Sequence, residues 1–286
     1  MSGLPHLDAA AIFELVPFAD AVAGLREVFS VRHPMVERTA VAIAGGDLLV
    51  MPAVLDGLAG VKTVMVQPGN ASRGEPVIQG SYLLVDAVRG RPVATLDGAA
   101  LTLLRTPAAS ALATRALAVP DARTCLIIGT GPQGCAHEGA MRWAVRTHTA
   151  DDHGGGTKCA LEEQVGRAQV ICTCTSSPTP LFNGRLVAAG THLNAMGAYR
   201  HDRCELDSEL MNRSSIVVDD HVASRAEAGD IALADAWAAV IGDLHDVVCG
   251  RAARTSSDEI TVFKSVGVAI EDIAVARLAA QRAGLL

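Results

Sequence analysis

The sequence predicts an α/β protein in which an antiparallel sheet precedes a doubly wound parallel one, and three observations predict it. Leu126-Ile127-Ile128 is a short aliphatic run followed at once by Gly129-Thr130-Gly131-Pro132-Gln133-Gly134, a G-x-G-x-x-G spacing where a helix should open. From about residue 120 onward, strand-like and helix-like segments alternate, as in a parallel sheet flanked by helices. Between Val36 and Val93, short apolar runs are instead broken by Gly, Pro and Asn, the pattern of antiparallel strands and turns.

Each glycine of the run has a physical task. The first permits a tight turn, the second lets backbone approach a pyrophosphate, and the third lets helix and strand pack closely. The helix that follows offers N–H groups and the positive end of its dipole to an anion. A G-x-G-x-x-G alone is weak evidence; the strand before it and the helix after it give it weight. Gly129, Gly131, Pro132, Gln133 and Gly134 are therefore candidate cofactor-binding residues, and a dinucleotide the candidate ligand.

Taken in order, residues 8–30 place Ile12, Leu15, Val16, Ala19, Val22 and Ala23 at helical spacing, with Asp8 as N-cap. Pro17 should split this segment into two helices. Strands are expected at Thr39–Ile43, Asp47–Met51, Gly60–Val66, Gly80–Val85 and Pro92–Leu96, with a turn over Asp86–Pro92. The Ala- and Leu-rich stretch Leu101–Leu117 reads as a helix ending before Pro120. Beyond it, strands are expected at Thr124–Ile128, Val170–Thr175, Thr191–Met196 and Ser215–Asp219. Helices are expected at Gln133–Val145, Leu161–Val165 and Leu206–Asn212, with helical signal over 230–248 and a closing amphipathic helix at Ala269–Ala283.

Composition excludes several function classes. The 286 residues carry a net charge of −7 and only 3% aromatics, which argues against a nucleic-acid surface. No apolar run approaches the ~18–20 residues needed to span a bilayer. Met1–Asp8 lacks the basic and apolar regions of a signal peptide, so a cytoplasmic protein is expected, with no membrane partner. The seven cysteines form no C-x-x-C pair, and His201 with Cys204 is too few ligands for a site; no metal and no disulfide is expected.

Some charges sit where charge is expensive. Lys62 lies inside Gly60-Val61-Lys62-Thr63-Val64-Met65-Val66, Arg105 follows Leu103-Leu104, and Arg38 begins a strand. Singly, each is explained by snorkelling or by a buried carboxylate partner. Together they fit a pocket for a small carboxylate, which an Arg can bind bidentately. Asp230, in Glu227-Ala228-Gly229-Asp230, reads alone as a helix cap but is a candidate to face the same cleft.

These features resemble the ornithine cyclodeaminase/μ-crystallin family. The matching runs include Gly60-Val61-Lys62, Pro68-Gly69-Asn70, Gln79–Asp86, Leu96-Asp97-Gly98, Leu101–Thr106, Gly129–His137, Thr175-Ser176-Ser177, Gly190–Ala198, Glu227–Asp230 and Ile260–Asp272. The resemblance implies a Rossmann domain over 119–265 that binds NAD(H) or NADP(H). It also implies an α+β substrate and dimerisation domain over 1–118 and 266–286, completed by the C-terminal helix, in a homodimer. By the same resemblance Arg38, Lys62 and Arg105 hold a substrate carboxylate, and Lys62 and Asp230 are the catalytic residues, Asp230 handling protons. Thr106, Thr175, Ser176 and the Val262–Ser265 loop, with Lys264 and Ser265, would lie near the cofactor.

The shared step in such enzymes is hydride transfer between a nicotinamide and the α-carbon of an amino or imino acid. The leading expectation is a reductase of a small cyclic imino acid such as Δ1-pyrroline-2-carboxylate. Alternatives are ornithine cyclodeaminase (using NAD catalytically), an alanine dehydrogenase-like enzyme, and a non-catalytic cofactor- and ligand-binding protein. The chain is short at 145–160: Arg146–Gly156 makes a poor second Rossmann strand, and about 20–30 residues, most of one βαβ unit, are missing relative to the pattern. Asp152 or His153 stands where a ribose contact is expected, within a solvated loop. A second shortening lies between Phe29 and Arg38.

Overall fold

The computed structural model describes residues 3–145, 148–150 and 158–286, with backbone only at 148–150, 158 and 159. Two compact units divide the chain: Met1–Val28, His33–Ala108 and Val268–Leu286 form the first, and Phe29–Arg32 with Ala109–Gly267 the second.

The first unit comprises β1 (His6–Leu7), α1 (Ala9–Leu15), α2 (Phe18–Phe29), β2 (Thr39–Ile43), β3 (Gly46–Leu55), β4 (Leu58–Val66), β5 (Ile78–Asp86) and β6 (Arg91–Asp97). Helix α3 (Gly98–Leu117) begins in this unit and ends in the second. The sheet runs β1-β6-β5-β4-β3-β2, antiparallel throughout except for β1 against β6. Pro17 separates α1 from α2, and Asp8 caps α1 by accepting from the Ala11 N–H at 2.9 Å. Helix α3 starts three residues before the expected Leu101, because Asp97 Oδ1 accepts from the amides of Ala99 and Ala100, each at 2.9 Å.

Strand β3 runs past the expected Met51, through Pro52. The missing N–H is tolerated because β2 pairs only with Gly46–Val50, so Pro52 has β4 on one side and no strand on the other. The last helix of the chain lies against β3, β4, β5 and β6. It is buried almost throughout Ala269–Ala280, which closes the core of this unit.

In the second unit follow β7 (Thr124–Ile128), α4 (Pro132–Ala144), β8 (His148–Ala150), α5 (Lys158–Val165), β9 (Val170–Thr173), β10 (His192–Ala195), α6 (Ser208–Asn212) and β11 (Ser215–Val218). Then come α7 (His221–Glu227), α8 (Gly229–Ala234), β12 (Val240–Asp243), α9 (Leu244–Val248) and β13 (Thr261–Lys264), and the closing helix of the first unit is α10 (Ala269–Arg282). All seven strands are parallel, in the order β12-β11-β13-β10-β9-β7-β8. Leu126, Ile171, Leu193, Val218 and Val262, one from each of five strands, belong to a single apolar core.

Three expectations need correction here. The run expected to make a poor strand contains β8, three residues paired in parallel with Thr124–Leu126 at the sheet edge. Val262–Lys264, expected in a loop, lie in β13, which sits between β10 and β11 with every side chain buried. Lys264 disguised it, because a charge interrupts the continuous apolar run that marks a doubly covered strand. The helical signal over 230–248 resolves into α8, β12 and α9, since Asp235 ends α8 in the left-handed conformation at φ +50°. Asp152 and His153 lie outside the described residues.

Among the described residues of this unit, His137 and His192 are buried without an ionic partner in their hydrogen bonds. His137 Nδ1–H donates to the Gln133 carbonyl at 2.7 Å, so Nε2 accepts from the Ser110 hydroxyl at 2.8 Å. Burial lowers the His137 pKa to about 4; burial, then the positive charge of Arg254, lowers that of His192 to about 3. The unfolded chain, with histidines near pKa 6.5, binds protons that the folded one refuses. Stability from this source is complete above pH 6.5 and is lost as pH falls toward 4. The urea midpoint should therefore drop between pH 7 and pH 4.5, by the equivalent of a few kcal/mol, and His137→Gln should flatten the slope; a variant slope equal to wild type would contradict the assignment.

Candidate active site

In the first unit the awkward cations form one cluster. Lys62 on β4 is 1% exposed, and its Nζ donates to Asp272 Oδ1 at 2.8 Å and to Thr102 Oγ1 at 3.1 Å. Arg105 on α3 donates from Nη1 to Glu271 Oε2 at 2.6 Å, and its Nε lies 3.3 Å from Asp272 Oδ1. Both acids are fully buried in the first turn of α10, where the helix dipole favours negative charge. Half-buried Arg38 is close enough for its charge to act on Lys62. Burial lowers the Lys62 pKa to about 8; Arg105 and Arg38 press it the same way, and Asp272 opposes them.

So the structure brings Lys62, Arg105 and Arg38 together, and it supplies the buried carboxylate partners that the lone-residue reading allowed. Those partners were missed, because an acidic pair in the first turn of a helix is unremarkable by composition. Among these five groups positive charge exceeds negative. Thr106, beside Arg105 on α3, is buried.

In the second unit the glycine turn follows β7, the strand with β8 on one side and β9 on the other, which is the switch point where doubly wound sheets take ligands. Gly129 has φ +131°, and a Cβ there would stand 2.5 Å from the Cys174 carbonyl oxygen. A Cβ on Gly134 would stand 1.9 Å from the Gly129 oxygen, so α4 presses directly on the turn. A Cβ on Gly131 would meet nothing within 4 Å. The fold thus needs the outer two glycines and leaves open space at the middle one. Gly131 also caps α4 without a side chain, and Pro132 opens the helix, so no side chain of the cap covers its first-turn amides. The turn fits a pyrophosphate.

Three buried carboxylates fix the loops at the same sheet edge. Glu205 accepts from the Thr173 hydroxyl (2.8 Å), the Thr175 amide and hydroxyl (2.8 and 2.7 Å) and the Gly197 amide (2.7 Å). Asp219 accepts from Ser265 Oγ (2.9 Å) and from the amides of Val266 and Gly267 (2.8 and 2.6 Å). Asp230 accepts from the amides of Glu205 and Leu206 at 2.7 and 2.9 Å and pairs with Lys264 Nζ at 2.7 Å. Lys264 also donates to the Ala198 carbonyl.

These contacts show how several of the expected site residues are held. Asp230 and Lys264, read as a proton-handling group and a cofactor contact, have fully buried side chains joined to each other. Val262 is core, Thr175 is held by Glu205, and Ser265 is held by Asp219, whereas Ser176 is exposed. Glu205 and Asp219 were missed; the one available signal was an acid directly after the buried run Ser215–Val218. Among the described residues, His221, Asp243 and Asp246 could converge on a metal, but Arg32 lies on both carboxylates at 2.8 and 3.1 Å and Arg251 on Asp246.

Two stability outcomes follow from this geometry. Asp230→Asn leaves Lys264 buried without an anion, so it should cost about 3–5 kcal/mol in chemical denaturation; a cost under ~1 kcal/mol would show the pair to be dispensable. Gly134→Ala should lower the melting temperature clearly while Gly131→Ala leaves it unchanged, and equal losses would contradict the assigned difference between the glycines.

Comparison with known proteins places these features. The family model described as ornithine cyclodeaminase/mu-crystallin family matches residues 14–149 and 157–284. A Δ1-pyrroline-2-carboxylate reductase of Bacillus cereus is 34% identical, with 93% of this chain and 91% of that protein covered. That alignment runs over 298 positions, more than the 286 residues of this chain, so the relative carries residues this chain lacks. The structure of Thermococcus litoralis Δ1-pyrroline-2-carboxylate reductase in complex with NADH and L-proline is similar at TM-score 0.89 and 27% identity, covering 98% of this chain and 97% of that one. An archaeal alanine dehydrogenase dimer with bound NAD is similar at TM-score 0.87 and 28% identity, covering 98% and 96%. With a family match over nearly its whole length and a relative of this identity, the chain belongs to the ornithine cyclodeaminase/mu-crystallin family.

Proposed function

We propose that this protein reduces a small cyclic imino acid, of the kind of Δ1-pyrroline-2-carboxylate, with NADH or NADPH. The observation that carries the reading is the Lys62–Arg105–Arg38 cluster, three cations gathered beside the buried carboxylates Glu271 and Asp272, a setting suited to one small carboxylate. The open turn at Gly131 supports the cofactor half, and relatives named for this reduction, one solved with NADH and L-proline, support the substrate class.

In this reading Arg105 and Arg38 hold the carboxylate and so fix the neighbouring α-carbon, which makes positioning a large part of the rate. The backbone amides of Gly129, Gly131, Gln133 and Gly134 hold the pyrophosphate, Pro132 opens the helix behind them, and Ser176 and Thr106 are further cofactor contacts. Bound there, the nicotinamide supplies the hydride that the α-carbon of the C=N group accepts. Lys62, with its pKa near 8, is mostly protonated at pH 7 and keeps a proton at Nζ for exchange with the substrate. Asp230 is assigned a structural part instead: its pairing with Lys264 and its two backbone contacts hold the loop at Glu205. A homodimer is part of the proposal, supported by the dimeric alanine dehydrogenase relative and by β2, where Thr39–Ala42 are all exposed, Val41 among them.

The test is net oxidation of NADH and NADPH on addition of Δ1-pyrroline-2-carboxylate. Saturable consumption of one cofactor is expected. Ammonia release from L-ornithine with no net cofactor change would replace reductase by cyclodeaminase, and cofactor binding with neither activity would leave a binding protein. Arg105→Ala should raise the substrate KM at least about tenfold, the scale of a lost charge-assisted hydrogen bond, with cofactor affinity unchanged; an unchanged KM would remove Arg105 from the carboxylate site.

A further inference from the structure

The substrate cations do not hold themselves in place. Lys62 comes from β4 and Arg105 from α3; Thr102 of α3 accepts from Lys62, but the charged partners of both cations lie on α10. Their anions come from neighbouring residues of one helical turn, Glu271 and Asp272, about 100° apart around the helix axis. That spacing lets the first turn of α10 reach two elements at once. Glu271 takes Arg105, while Asp272 Oδ1 takes Lys62 and also lies 3.3 Å from Arg105 Nε.

We propose that Asp272 and Glu271 are positioning residues for substrate binding, Asp272 acting through Lys62 and Glu271 through Arg105. This rests on the reading of that cluster as the substrate carboxylate site. The two acids have separate effects because their neighbours differ. Around Lys62, β5 offers Tyr82 in direct register, α3 offers Thr102 and Arg105, α10 offers Asp272 and Glu271, and Arg38 acts through its charge. Thr102 donates its own proton to the Gly98 carbonyl and so meets Lys62 as an acceptor. Tyr82 stays a neutral phenol, its pKa raised by burial and by the negative charge of Asp272.

Of the groups hydrogen-bonded to Lys62 Nζ, Asp272 alone carries negative charge, and it is what opposes burial, Arg105 and Arg38 in keeping the amine protonated. Without that charge Lys62 gives up its proton at lower pH, and with it part of its hold on an anion. Glu271 is bonded to Arg105, a guanidinium that stays charged at any working pH. Loss of Glu271 should loosen geometry without changing a titration.

The experiment measures L-proline affinity in the presence of cofactor by calorimetry from pH 6 to 10, with kcat/KM over the same range. Wild type should lose affinity as pH rises through the Lys62 pKa. Asp272→Asn should move that alkaline limb down by a pH unit or more and weaken L-proline binding at pH 7 at least tenfold. Glu271→Gln should weaken binding with the limb unmoved. Asp272→Glu, which keeps the charge but displaces it, should retain the limb and weaken binding; it carries the test if Asp272→Asn does not fold. A folded Asp272→Asn with the wild-type limb, or an Asp272→Glu that binds as wild type, overturns the proposal alone. A wild-type protein that binds no L-proline overturns it together with the carboxylate-site reading.

Discussion

Buried carboxylates, each held through at least one oxygen by named donors, are the constraint on which the rest of this structure depends. Five of them, Glu205, Asp219, Asp230, Glu271 and Asp272, are 0–1% exposed. Leaving any one without its donors is expensive, because a buried anion without partners costs several kcal/mol. Each donor set therefore dictates where a loop or helix must lie. In the second unit Glu205 ties the segment after β9 to the segment after β10, Asp219 ties the end of β11 to the chain leaving β13, and Asp230 ties α8 to β13. In the first unit Glu271 and Asp272 tie α10 to α3 and β4.

The same economy explains how the sites are divided between structure and chemistry. A lysine inside β4 would be a defect in a purely structural sheet. Buried, pressed by two arginines and paired with Asp272, it is a cation whose pKa is lowered to about 8. At the glycine turn the division falls on single residues. Gly129 and Gly134 are required by contacts under 3 Å to the protein's own backbone, and Gly131 is required by none of them. What the fold does not need at Gly131, a bound pyrophosphate would.

Legibility in the sequence followed the range of the interactions. Local signals held: the Pro17 break, the Asp8 cap, the turn at Asp86 and the strand–glycine–helix unit all rest on neighbours a few residues away. The lone cations inside apolar runs were visible as an anomaly, since only a shared purpose or a hidden partner makes such placement tolerable, and the structure supplies the partners Glu271 and Asp272. Long-range partners were opaque. Nothing near Asp272 announces Lys62, 210 residues earlier, and Glu205 has no local feature that distinguishes it from a surface acid. Strand β13 was hidden by Lys264, whose charge is neutralised by a residue on another element. Strand β8 was hidden by its brevity and by polar residues at a sheet edge.

The central claim is that the second unit forms a working dinucleotide site at the Gly129–Gly134 turn. The most direct measurement is a titration of the purified protein with NADH and with NADPH, following reduced-nicotinamide fluorescence, with phosphate as a competing anion. Saturable, one-to-one binding of one cofactor, weakened by phosphate, is the predicted result. Absence of saturable binding for both, in a protein that unfolds cooperatively, would contradict it.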